Sequence, residues 1–193
     1  MIDLIEKAKV LIDEKLKDHP KRLAHSYGVA LTCQKLARLY GINEAEATLI
    51  GLFHDYAKYD TLEDQVAVID PKIVRQYKDH PVIYHAYAAS YWFTKRLGVD
   101  DERLISAINH HVWGQPDMNM LEKILFVADY CEPTRPFSDK DYIYALAVKK
   151  LDEAVCYCMK SGIDDLEKRG LTPSSQSLDA YHYYMEVTRG TTR

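Results

Sequence analysis

Gly51-Leu52-Phe53-His54-Asp55-Tyr56-Ala57-Lys58 ends an apolar run with an imidazole and a carboxylate side by side. Neutral imidazole and ionised carboxylate both suit borderline divalent metals. Adjacent helical residues differ in direction by about 100°, at ~3.6 residues per turn. The pair can therefore address one ion only at the rim of a bundle, with other helices supplying the remaining ligands.

Working outward, Asn43 is a cap for the helix that carries this stretch, and Glu46 three residues on would complete a capping box. Ala47, Ile50 and His54 line one face of that helix; Leu49, Phe53 and Tyr56 line the next, so it is expected to be central. Upstream, Ile2 to Lys17 reads as one helix. Asp18-His19-Pro20 then opens a second, running to about Leu39, with His25, Val29, Thr32 and Leu36 on one face. Downstream, residues 59–70 read as irregular, followed by a short helix from Pro71 to Tyr77. Asp79-His80-Pro81 repeats the earlier start signal and opens a helix with His85, Ala88, Ala89, Trp92 and Arg96 on one stripe, ending at Gly98. The next helix aligns Leu104, Ala107, Ile108 and His111. Met120 to Cys131 follows, with Asp129 near its end. The segment from Glu132 to Phe137 is a loop, because Pro133 and Pro136 interrupt it. Asp141 to Lys168 reads as one long helix. Thr172-Pro173-Ser174-Ser175-Gln176-Ser177 reads as a polar loop, and Leu178 to Val187 as the last helix. No stretch alternates with period two. The expectation is an all-α fold, one helical domain over residues 1–193 with a motif core at about 20–137 and C-terminal helices over 139–188 packing on it.

The chain is 47% hydrophobic and 28% charged, the balance of a soluble globular protein. A net charge of −4 argues against a general nucleic-acid binder, which carries a basic surface. No apolar run approaches the ~20 residues of a membrane span. The first residues mix Asp, Glu and Lys with apolar ones, unlike a secretory signal, so the cytoplasm is the expected location. Cys33, Cys131, Cys156 and Cys158 form no Cys-x-x-Cys pair and read as reduced core thiols. The aromatic content leaves a homodimer face as an expectation.

Four polar groups stand on otherwise apolar helix faces: His25, His54, Asp55 and Asp129. A buried carboxylate without a partner is costly. Together the four make a mixed nitrogen and oxygen set for one divalent ion with open positions, and Fe, Mn, Co, Ni or Zn would fit. A metal so held acidifies water and polarises a phosphoryl oxygen. Asp55 can orient or deprotonate that water, and Lys58 and Arg135 can neutralise charge on phosphoryl oxygens.

Five stretches carry a resemblance to a known family. They are Ala24-His25-Ser26-Tyr27-Gly28-Val29-Ala30, Gly51 to Lys58, Leu97-Gly98-Val99-Asp100, Ala107-Ile108-Asn109-His110-His111, and Met120 through Pro133 with its Ala128-Asp129-Tyr130-Cys131-Glu132-Pro133 end. They resemble the HD-domain metal-dependent phosphohydrolases, in particular the YqeK-type symmetrical bis(5′-nucleosyl)-tetraphosphatases. The resemblance implies an iron-binding hydrolase that splits diadenosine tetraphosphate into two ADP. It implies that His25, His54, Asp55 and Asp129 are the metal ligands and that His85, His111 and Arg135 face the phosphates. It further implies that Gly28 lets the ligand approach beside His25, and that the Thr172 to Ser177 loop closes over the nucleotide. The chain departs from the family pattern at Val112 and Trp113, where threonines are usual, and at Thr134, where glycine is usual. Two alternatives stand beside this reading: an HD phosphohydrolase of another nucleotide or alarmone, and a nucleotide-binding sensor without turnover.

Overall fold

Cap chemistry places most of the helix starts. The computed structural model describes residues 2–136 and 138–190, without the side chain of Ile2. The described residues form eleven α-helices and a short 3₁₀ turn at Pro81–Ile83, with no strand among them. The fold is all-α, as expected. Pro20 opens α2 (Pro20–Leu39), after α1 (Ile2–Lys15). Asn43 caps α3 (Glu44–Phe53), its Oδ1 accepting from the amides of Ala45 and Glu46. Glu46 does not close a capping box; its carboxylate faces Arg103 at 3.4 Å. The complete capping box is at Asn119 and Glu122, at the start of α8 (Met120–Cys131).

Three segments differ from expectation. Residues 59–70 contain α4 (Leu62–Val68), because the Thr61 hydroxyl accepts from the Asp64 amide and donates to the Asp64 carboxylate. The short helix α5 (Pro71–Gln76) then follows as read. The single long helix over 141–168 is two, α9 (Lys140–Lys149) and α10 (Leu151–Lys168). They are separated at Lys150, whose φ of −151° and ψ of 82° leave the helical region. The bend turns both apolar faces inward: Ile143 and Ala147 of α9 and Leu151, Ala154 and Val155 of α10 are all buried. The last helix, α11 (Ser175–Gly190), begins inside the expected polar loop, since Ser174 Oγ accepts from the Ser177 amide.

The centre of the molecule is α3. It packs against α1, α2 and α8, and also against α6 (Tyr84–Leu97) and α7 (Glu102–His110). Ala47 and every residue from Leu49 to Phe53 are buried. The approach of α2 to α3 depends on Gly51: a methyl group there would lie 2.7 Å from Ala30 Cα. That contact brings the end of α3 beside the first turns of α2. The C-terminal helices join through α8, which touches both α9 and α10, while α11 lies on α10.

Candidate metal centre

Helix α3 stops at Phe53, and His54 to Lys58 continue as tight turns, with the amides of Tyr56 and Lys58 bonded to the carbonyls of Phe53 and Asp55. His54 is still helical in backbone, its amide bonded to the Ile50 carbonyl, so it and Asp55 address one place from the end of the helix. His25 reaches the same place from α2, and Asp129 from the last turn of α8. His25 Nε2 lies 2.9 Å from Asp129 Oδ1 and 3.9 Å from Asp55 Oδ2. His54 Nε2 lies 3.5 Å from Asp55 Oδ2 and 3.8 Å from Asp129 Oδ1. The four residues expected to hold a metal thus converge. His85, from α6, and His111, just past α7, face the other oxygen of Asp55, at 3.2 and 3.5 Å from Oδ1.

The imidazoles are fixed by their outer nitrogens. His54, His85 and His111 each donate Nδ1–H to the carbonyl three residues earlier, that of Gly51, Val82 and Ile108 respectively, at 2.6–2.8 Å. His25 sits inside a helix, where that carbonyl is taken. Its Nδ1–H goes instead to Glu132 Oε1 at 3.0 Å. In every case Nε2 is left with a lone pair directed inward. The buried Nε2 atoms of His25 and His54 and Oδ1 of Asp55 make no hydrogen bond. Nε2 of His25 is close to Asp129 but not aligned to bond it. Buried polar atoms are rarely left this way, and neutral nitrogen and ionised oxygen donors in this arrangement fit a divalent metal. Groups drawn from these residues have donor atoms within 4.8 Å of one another.

Electrostatics keep the donors in metal-binding form. Burial opposes ionisation of Asp55, but the imidazoles of His54, His111 and His85 outweigh it and hold its pKa well below the usual range. Burial likewise opposes ionisation of Asp129, and His25 and Arg135 overcome it. Burial, aided by nearby Lys58, lowers the pKa of His85 to about 4 despite the pull of Asp55, so it is neutral at ordinary pH.

Two contacts of this site have no counterpart in the sequence reading. Arg22 Nη1 donates to Asp55 Oδ2 at 2.5 Å. Its position three residues before His25, on the same helix face, was the available signal. Glu132 is fully buried and accepts from His25, from the Thr134 amide at 2.7 Å and from the Thr134 hydroxyl at 2.5 Å. Its motif was visible, but the direction of its side chain was not. The room left by Gly28 holds this carboxylate rather than a ligand: a Cβ on Gly28 would lie 2.2 Å from Glu132 Oε2.

Lys58 Nζ stands 3.2 Å from His85 Nε2, and Arg135 binds the side chain and carbonyl of Asp129. Asp55, Lys58, His111, Asp129 and Arg135 line a cavity of about 870 Å³ that runs out along α9 and α10. None of Thr172, Pro173, Ser174, Ser175, Gln176 and Ser177 lines it. Ser174 and Ser177 are buried at the cap of α11, and Gln176 bridges the Gly114 carbonyl and the Tyr77 hydroxyl.

Residues 22–134 match the model of the HD domain. The chain belongs to the HD-domain family. It is 34% identical over 166 residues to the symmetrical bis(5′-nucleosyl)-tetraphosphatase of Bacillus subtilis, covering 85% of this chain and 88% of that protein. Its identity to the protein of the same name from Halalkalibacterium halodurans is 33% over 180 residues, covering 91% and 94%. These matches place the HD-family chain among the symmetrical bis(5′-nucleosyl)-tetraphosphatases. An HD superfamily hydrolase from Clostridium acetobutylicum, described as involved in NAD metabolism, superposes with a TM-score of 0.84 over 94% of this chain and 97% of its own, at 28% identity.

Proposed function

We propose that this HD-family chain hydrolyses diadenosine tetraphosphate symmetrically to two ADP, at a divalent metal held by His25, His54, Asp55 and Asp129, with iron as the resident ion. The observation that carries the reading is the meeting of inward lone pairs at the inner end of a nucleotide-sized cavity. The relatives bearing that activity in their name span nine-tenths of the chain.

The ion, when bound, supplies Lewis acidity and an acidified water. The remaining work falls to side chains. Neutral His85, with His111 beside it, borders Asp55 Oδ1, the atom that can accept a proton from attacking water. Lys58 and Arg22 flank Asp55, and Arg135 flanks Asp129, so three cations are positioned for the negative charge of the phosphate chain. Arg135 offers the planar fork suited to two phosphoryl oxygens.

Incubating metal-loaded protein with diadenosine tetraphosphate and separating the products tests the proposal. ADP as sole product is expected. AMP plus ATP, or no turnover with any of Fe, Mn, Co, Ni or Zn, overturns it.

A further inference from the structure

The cavity has two ends of different chemistry. At the inner end Arg22, Lys58 and Arg135 face Asp55 and Asp129, so one positive charge remains before any divalent ion is counted. At the outer end Lys160, Lys168 and Arg169 face Asp139, Asp164 and Asp165, and the charges cancel. Two cations are paired at each end, Arg22 with Asp55 and Arg135 with Asp129 inside, Lys160 with Asp164 and Arg169 with Asp165 outside, so the net charge is what separates the ends. A tetraphosphate chain carries about four negative charges and belongs at the inner end. The outer end suits a neutral group with apolar faces and several hydrogen-bonding edges. Ile143, Tyr157 and Gly162 give it apolar and aromatic surface, and Ser161 and Asp139 give it donors and acceptors. Its depth comes from a small residue. Tyr130, next to Asp129, passes so close to α10 that a Cβ on Gly162 would lie 2.5 Å from its hydroxyl.

We infer that the cavity face of α10, around Tyr157, Ser161 and Lys168, seats one of the substrate's two nucleosides, an inference that rests on the hydrolase reading above. Cleavage at the centre of a four-phosphate chain leaves two phosphates and a nucleoside on each side of the reacting phosphorus. A site that recognised only one nucleoside and its two phosphates would accept a mononucleoside polyphosphate equally well. The α10 wall supplies the second holding point. It makes α10 the element that distinguishes a dinucleoside substrate from a mononucleoside polyphosphate.

The test compares two probes by calorimetry on manganese-loaded protein: diadenosine tetraphosphate with a central methylene bridge, which resists cleavage, and adenosine 5′-tetraphosphate, which lacks the second nucleoside. The wild type is expected to prefer the dinucleoside at least tenfold. Ser161→Trp, which fills the outer end, should abolish that preference. Lys168→Trp, at the exposed last residue of α10 where folding is not at stake, should do the same. Equal affinity of the wild type for both probes, or a preference unchanged in both variants, overturns the subsite. A wild type that shows the preference and loses it in the variants, yet never cleaves unmodified diadenosine tetraphosphate, upholds the subsite and overturns the hydrolase reading instead.

Discussion

Asp129 and Glu132, three residues apart, do different jobs. On the proposed reading Asp129 offers an oxygen to the ion, so Asp129→Ala should lose both metal and activity. Metal content by mass spectrometry and turnover should fall together, by at least 100-fold for kcat/KM; bound metal at wild-type level would remove Asp129 from the ligand set. Glu132 bonds the outer nitrogen of His25 and so holds that ring. Removing such a support to a metal-bound histidine typically costs about 10–100-fold in affinity. Glu132→Ala should therefore weaken cobalt binding by about that factor in a chelator competition, with the His25 ring free to turn. Gly28→Ala should mimic it, because the added methyl displaces the same carboxylate. The sequence made the donors legible because each is a polar group on an apolar face. It hid Arg22 and Glu132 because a charged residue at a helix start or in a loop has a ready bland explanation.

Among the elements, α8 is fastened most firmly at its start. Glu122 is buried and accepts from Ser106, His110, Gln115 and the Asn119 amide, tying α7 and the turn after His111 to α8. Burial alone would raise its pKa, but these donors win and lower it. A depressed carboxylate pKa gives stability that is complete above the unfolded value of about 4.3 and is lost as pH falls through the folded value. Glu122→Gln should thus be less stable than wild type at pH 7, by about 1–3 kcal/mol in urea denaturation, with the gap narrowing below about pH 4.3. A gap independent of pH would show that Glu122 is not ionised in the folded state. Periodicity and cap residues revealed most helices. The break at Lys150 escaped because neither proline nor glycine marks it: it is imposed by tertiary packing, which aims the buried faces of α9 and α10 at α8. Helix α4 escaped for the opposite reason, a local Thr61 cap too short to register against a polar background.

At the scale of the molecule, binding at the metal cradle and folding are linked. Ligand binding to the native state alone adds about 2.7 kcal/mol at a hundredfold excess over Kd. Chelation should lower Tm, and readdition of manganese should restore it; an unchanged Tm would mean that the donors hold no ion in solution. Stability also rests on the contact of α2 with α3. Gly51→Ala should cost about 1–3 kcal/mol through overpacking, measured by thermal unfolding, and should loosen the join between His25 and His54. Three of the four imidazoles take their orientation from a carbonyl within their own turn, so their lone pairs face one another before any ion arrives. Bringing unshared electron pairs and carboxylates together is unfavourable, and a cation relieves it at once. On the proposed reading such a cradle takes up whichever suitable ion the growth medium or column resin offers. The metal found in a preparation will then record its purification history as much as its cellular role. Specific activities from different laboratories become comparable only after stripping and defined reloading.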